Sequence, residues 1–282
     1  HEFRWLDDGR IIQIGSKNHP WPDGRLESIE SGYIYISDEE GNKLFEWDSY
    51  DHVPIELSSV PVEDWSMRSY DYFHMNNVTP LSDGNYLVSA RHTQTIMKID
   101  ATNGDVLWQM GKGRANEFTF IDDPYDGPRR QHDIRRLDNG NLMIFDNGMS
   151  VQGGPGQGST DIQSRVAEYS LDEENMTATL VWEYFHPEGY LALNQGCSQR
   201  LNNGNTLISW GTVSFHGAII TEVNYEKEIV NVLDEISPDL KATRAKWATI
   251  EATNRAFEDG KRIFGKSSDE VEIIFEDLLA KG

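Results

Sequence analysis

Leu137-Asp138-Asn139-Gly140-Asn141, followed at once by Leu142-Met143-Ile144-Phe145, reads as a turn feeding a buried strand. Asn-Gly supplies the positive φ values that tight two-residue hairpin turns demand, and a short apolar run bounded by such a turn suits a strand. The same phrase opens three other units. Leu6-Asp7-Asp8-Gly9-Arg10 precedes Ile11-Ile12-Gln13-Ile14, Leu81-Ser82-Asp83-Gly84-Asn85 precedes Tyr86-Leu87-Val88-Ser89, and Leu201-Asn202-Asn203-Gly204-Asn205 precedes Thr206-Leu207-Ile208-Ser209. A second phrase follows each. Ile96-Met97-Lys98-Ile99 leads through Asn103-Gly104 to Val106-Leu107-Trp108, and Val166-Ala167-Glu168-Tyr169 leads to Leu180-Val181-Trp182. Tyr33 to Trp47 and Ile219 to Leu233 complete the first and last units in the same way.

Four-stranded antiparallel units repeating along a chain predict an all-β fold, a β-propeller, with four to five blades visible. The repeat of about 55 to 75 residues exceeds the common ~40 to 50, which implies long loops between strands. The expected organisation is a propeller domain over 1–235 and a C-terminal α-helical extension over 236–282. Ser237-Pro238-Asp239 offers an N-cap with proline at the first helical position, and Trp247, Ile250 and Phe257 fall at helical spacing. The glycine-rich run Gly153 to Ser159 reads as a loop inside one blade. A closed six-bladed ring would need more strands than these; removed sequence, a neighbouring chain or a blade that this count misses would supply the rest.

The chain of 282 residues carries 47 acidic against 25 basic residues, a formal charge of −22. That field repels nucleic-acid backbones and anionic lipid, and no stretch is apolar enough to insert in a membrane. An anionic substrate could approach only where a few cationic side chains reverse the local sign. The single cysteine, Cys197, excludes an internal disulfide and reads as a small buried hydrophobe. The sequons Asn77-Val78-Thr79 and Asn175-Met176-Thr177, with a start directly in strand-like sequence, fit a secreted or periplasmic protein whose N-terminal sequence was processed.

Histidine precedes the repeated turn in three units: His1 before Gly9, His74 before Gly84 and His132 before Gly140. Residues at matching positions of several blades converge on the central channel. Arg91 ends the strand that pairs back toward His74. Its planar fork suits a tetrahedral oxyanion such as sulfate. Asn76, two residues past His74, shares a face with it and could donate to the same group. Asp133 and Asp146 read as structural residues, and Trp47, Trp108 and Trp182 as core. Three histidines are also a zinc set, but no pair lies at i, i+2 or i, i+4, and three blades would spread them apart, so neither metal nor other cofactor is expected.

Tyr70-Asp71-Tyr72-Phe73-His74-Met75-Asn76-Asn77, Ser89-Ala90-Arg91-His92-Thr93-Gln94, His132-Asp133-Ile134-Arg135, Phe145-Asp146-Asn147-Gly148, Ser164-Arg165-Val166 and Gln195-Gly196-Cys197-Ser198-Gln199-Arg200 follow one another as landmarks that resemble the arylsulfotransferase family. The resemblance covers roughly residues 1 to 235. It implies a six-bladed propeller that moves sulfuryl groups from an aryl sulfate to a phenol without a nucleotide donor. It also implies that His132 carries the group as a sulfohistidine, supported by His74, Asn76, Arg91 and His1. Two other readings stay open on the residues: a noncatalytic propeller serving interaction or assembly, and a propeller polysaccharide lyase using histidine and arginine around a uronate.

Overall fold

Four turns set the register of the sheets. In the computed structural model, which describes residues 3–6, 8–22, 24, 26–65, 67–149, 162–213 and 219–233, each repeated phrase folds back through glycine. The glycine N–H donates to the leucine carbonyl three residues earlier, at 3.0 Å for Gly9, 3.1 Å for Gly84 and 2.9 Å for both Gly140 and Gly204. Only the glycines take positive φ, between 85° at Gly140 and 90° at Gly84. The preceding Asp8, Asp83, Asn139 or Asn203 instead accepts, through its side chain, the N–H two residues on. The loops are therefore three residues long rather than two, and the side-chain bond explains why Asp or Asn is needed there without a positive φ.

The first sheet comprises β1 (Phe3–Trp5), β2 (Ile11–Pro20), β3 (Ser28–Ser37) and β4 (Lys43–Asp48), with β5 (Ser69–Asp71) pairing parallel to β3. The second is β6 (Met75–Pro80), β7 (Tyr86–Ala90), β8 (Thr95–Ile99) and β9 (Val106–Met110). In the third, β10 (Thr119–Ile121) adds a parallel strand to an antiparallel set of β11 (His132–Arg136), β12 (Leu142–Asp146), β13 (Arg165–Asp172) and β14 (Thr177–Phe185). The fourth is β15 (Cys197–Arg200), β16 (Thr206–Ser209), β17 (Ile220–Val223) and β18 (Ile229–Leu233). The added strands β5 and β10 sit in the long connections that stretch the repeat.

Alternation along the strands distributes side chains between neighbouring blades. Val88 joins a core with Ile12, Ile34, Ile36 and Trp47 of the first blade, while its neighbour Leu87 joins Ile134, Leu142 and Ile144 of the third. Met143 and Phe145, flanking Ile144, turn instead toward Ile208 and Trp210 of the fourth. Each middle blade thus buries both faces, which is why β7 and β12 are buried at every position. The innermost strands follow one another in order, β6 packing on β11 and β11 on β15. That is propeller architecture, with four blades among the described residues.

The three tryptophans at the outer strands join one blade to the next. Trp47 Nε1 donates to the Gly104 carbonyl at 2.9 Å, Trp108 to Glu173 Oε2 at 3.0 Å, and Trp182 to the Tyr225 carbonyl at 2.8 Å. In each case the acceptor belongs to the outer hairpin of the following blade, so the indole fills the interface while satisfying its donor. Inside the third blade, the fully buried Arg165 is held by three carboxylates. Nη1 and Nη2 form a fork on Asp123 at 3.0 Å each, Nε reaches Asp146 at 3.0 Å, and Nη1 also reaches Glu183 at 2.8 Å. Asp146 is structural, as its sequence position suggested.

Some sequence readings change. Asn77 is only 2% exposed within β6, so the first sequon cannot accept a glycan in the folded chain, whereas Asn175 lies in the exposed turn between β13 and β14. Cys197 is half-buried rather than buried, because it opens β15 at the strand end where loops gather. The helical extension over 236–282, the glycine-rich run over 153–159 and His1 lie outside the described residues. Among the described residues no helix is long and apolar enough to cross a membrane.

Candidate active site

His132 is the first residue of β11 and pairs with Phe145. A bulge at Asp133, whose φ is +50°, interrupts the ladder just after it. Bulges re-aim a side chain at the end of a strand, and Asp133 holds this one by accepting from the Ser198 N–H of β15 at 2.8 Å while pairing with Arg135. The His132 imidazole is buried, and its Nδ1 meets Asn147 Oδ1 at 2.7 Å. The orientation of Asn147 is fixed independently. Its amide nitrogen donates to the Ala192 and Gln195 carbonyls at 3.0 and 2.9 Å, so its oxygen must face the imidazole. An amide oxygen can only accept, so His132 carries its proton on Nδ1 and its lone pair on Nε2.

Burial pushes the His132 pKa down to about 4; its hydrogen bond to Asn147 and a backbone hydrogen bond at Arg130 oppose the shift, and the charge of Arg91, with that of His74 whenever it is protonated, adds to it. The imidazole is neutral at physiological pH. Arg91 follows β7 and is anchored on two sides, Nη1 donating to His92 Nε2 at 3.1 Å and Nη2 to the Leu193 carbonyl at 3.1 Å. Its Nε is buried without a hydrogen-bond partner among the described residues. Burial, and then the charge of Arg130, push Arg91 down to about 10. Two guanidinium groups drawn together, one with a buried donor unused, create the local positive field that an acidic protein needs to admit an anion.

His92 keeps Arg91 in place. Its Nδ1 donates to the Asp71 carbonyl at 2.6 Å, so Nε2 is the acceptor for the guanidinium. Burial, only partly offset by the Asp71 carboxylate, pushes its pKa to about 4, which preserves that accepting lone pair. His92 packs on His74 with ring centroids 4.6 Å apart and on the edge of Trp65. His74 in turn has Nδ1 bonded to the Asp71 carboxylate and its N–H on Asp71 Oδ1 at 2.9 Å. Although burial acts to raise the Asp71 pKa, the contacts with His74 and His92 hold it below the ordinary value. A carboxylate on Nδ1 leaves Nε2 as the nitrogen of His74 that can give or take a proton.

Of the residues singled out in the sequence, His74 and Arg91 both lie within electrostatic reach of His132. His74 and His132 do not share one register. His74 precedes β6 in a left-handed conformation, φ +52°, and the bulge of that strand falls at Asn76 instead of directly after the histidine. Asn76 spends an N–H on the Gln131 carbonyl at 2.8 Å, joining β6 to the residue before His132. Its Oδ1 is buried with no partner among the described residues. Asp71, His92 and Asn147 were quoted within the motifs but given no role, because what they do depends on contacts between segments that sequence does not pair. Asp71, His74 and His92 also bring three potential ligand atoms within 4.8 Å of one another. The guanidinium already donating to His92 Nε2 opposes a second cation there.

A family model described as arylsulfotransferase (ASST) matches residues 1–251. No curated protein matches the chain. Solved structures similar to it include an α-L-arabinofuranosidase from Clostridium thermocellum (11% identity over 82% of this chain and 69% of that one, TM-score 0.42). Another is virginiamycin B lyase from Staphylococcus aureus with quinupristin (11%, 84% and 70%, TM-score 0.39). A third is the β-propeller domain of Cps50 (Swd1) from Myceliophteria thermophila (9%, 77% and 72%, TM-score 0.39).

Proposed function

The chain belongs to the arylsulfotransferase family, and we propose that it moves a sulfuryl group from an aryl sulfate to a phenol through a sulfohistidine at His132. The observation that supports this most is the neutral, buried imidazole with its lone pair on Nε2 beside a guanidinium that has a donor to spare. In the first half-reaction Nε2 attacks sulfur, the bond from sulfur to the aryl oxygen breaks, and that oxygen leaves with the electron pair and takes a proton from His74. In the second, the acceptor oxygen attacks the same sulfur, its proton passes to His74, and the nitrogen–sulfur bond breaks. Splitting one displacement into two is what a covalent nucleophile achieves. Arg91 holds the equatorial oxygens, whose charge the site must stabilise as the group transfers.

Two expected results follow from this chemistry. Arg91→Lys keeps a charge but loses the fork and the anchors on His92 and Leu193, and should lower the rate with 4-nitrophenyl sulfate by about 100-fold. An unchanged rate would remove Arg91 from the reaction. The loss of nucleophile in acid should appear only near the His132 pKa of about 4, whereas an ordinary histidine nucleophile would already have lost half its activity near pH 6.5. Both His132 and His92 bind protons less readily folded than unfolded, so stability also declines as pH falls below about 6.5. Single-turnover rates after a rapid pH jump separate the two effects.

The reading as a whole is tested by steady-state kinetics with 4-nitrophenyl sulfate and a phenol. Parallel double-reciprocal lines and a nitrophenol burst equal to the enzyme concentration are expected. Absence of any nitrophenol release would favour a noncatalytic propeller.

A further inference from the structure

His74 also borders a cavity of about 260 Å³ that the chemistry above leaves unused, between the β2–β3 ribbon and the start of β6. Register explains why it is there. On the face of the ribbon toward the second blade, the successive cross-strand pairs are Ile12 with Ile36, Ile14 with Ile34, Ser16 with Gly32, and Asn18 with Glu30. The first two fill the interface between blades. The third is small, and Gly32 is required: a Cβ there would lie 2.6 Å from Phe73 and 2.9 Å from Met75. Phe73 and Met75 therefore close in over Gly32, and the short Ser16 side chain beside them leaves the hole, with Ile14 and Met75 as apolar walls.

The polar groups of this hole have a definite sign. Glu30 is half-buried, and no hydrogen bond or ion pair engages its carboxylate among the described residues. Asp71 lines it too, and among the described residues no lysine or arginine does. The positive field around Arg91 and Arg130 thus has an acidic counterpart on the same His74. We propose that this cavity is the acceptor subsite and that it takes a single-ring phenol bearing a protonated amine. The ring would lie between Ile14 and Met75, with its hydroxyl toward His74 and its ammonium toward Glu30. A small, mostly apolar cleft with a few placed polar groups is the usual form of such a site. A half-buried carboxylate discriminates charge far better than one in open water. The proposal rests on the sulfuryl-transfer reading above. The acceptor's oxygen would bond to sulfur as the His132 nitrogen–sulfur bond breaks, and its proton would go to His74.

The test compares tyramine, 4-ethylphenol and 4-hydroxyphenylacetate as acceptors with 4-nitrophenyl sulfate as donor. Wild-type kcat/KM should favour tyramine over 4-ethylphenol by about tenfold, with the carboxylate last, and Glu30→Gln should erase the tyramine preference. Ser16→Leu, which fills the hole, should lower the ratio of acceptor-dependent turnover to nitrophenol burst by at least about tenfold. A tyramine to 4-ethylphenol ratio unaltered by Glu30→Gln, or an unaltered turnover-to-burst ratio in Ser16→Leu, would overturn the assignment. No burst from wild-type protein would instead sink the transferase reading. Calorimetric titration with tyramine then decides the cavity alone: binding weakened about tenfold by Glu30→Gln supports it, and absent or unchanged binding rejects it.

Discussion

His132→Ala should lower turnover of 4-nitrophenyl sulfate by on the order of 10⁴-fold while leaving the unfolding transition close to that of wild type. The imidazole is bonded to Asn147 alone among the side chains, and its other nitrogen serves the substrate in this account. Loss of the ring removes the covalent route altogether, so the remaining rate is whatever Arg91 and His74 supply to direct attack by the acceptor. The burst should vanish with the turnover. A variant that kept its burst, or lost no more than about threefold in rate, would mean that another group carries the sulfuryl moiety.

Arg165→Met should destabilise the folded chain by about 3 to 5 kcal/mol, measured by guanidinium unfolding near pH 8. The methionine fills similar space, so the cost is electrostatic. Asp123 and Asp146, whose side chains are wholly inaccessible, would lose the cation that neutralises them. Burial already raises the Asp146 pKa against the opposing pull of Arg165, and with the cation gone it rises further. A carboxylate whose folded pKa exceeds its unfolded value costs stability above the unfolded value and regains it as acid protonates the folded state. The deficit relative to wild type should therefore shrink between pH 8 and pH 5. A constant deficit would mean that lost packing, not charge, is the cause. The backbone of this blade reaches the site: Asp146 Oδ1 accepts from the Gly148 N–H at 2.9 Å and the Arg129 N–H at 2.8 Å. Both contacts flank the chain around Asn147 and the residues before His132, so a damaged Arg165 network should also reduce activity.

The blades were legible because their information is local. Leu137 to Asn141 carries its own turn chemistry, and the apolar run after it declares a strand buried on both faces. The detail that failed, two-residue turns instead of three, hinged on whether Asn139 bends its own backbone or caps it with its side chain. The dipeptide alone does not separate those options. At the site, His132, His74 and Arg91 stood out because titratable and cationic residues beside a repeated turn are conspicuous in an acidic chain. Asp71, His92 and Asn147 were not, since each depends on a group from another segment: Asp71 on the His92 ring, His92 on the Asp71 carbonyl that turns its other nitrogen toward Arg91, Asn147 on the His132 ring. Nothing in their spacing announces those pairings. The same is true of the Ser16–Gly32 pair, whose meaning appears only once β2 and β3 are in register.

The central claim is that Nε2 of His132 becomes bonded to sulfur, and peptide mapping by mass spectrometry reads this directly. Protein mixed with excess 4-nitrophenyl sulfate and no acceptor, then quenched at alkaline pH to preserve the nitrogen–sulfur bond, should yield one SO₃ added to the peptide containing His132. The adduct should disappear when a phenol is supplied before the quench. Unmodified His132 after a full nitrophenol burst, or the SO₃ found on another residue, would contradict the account.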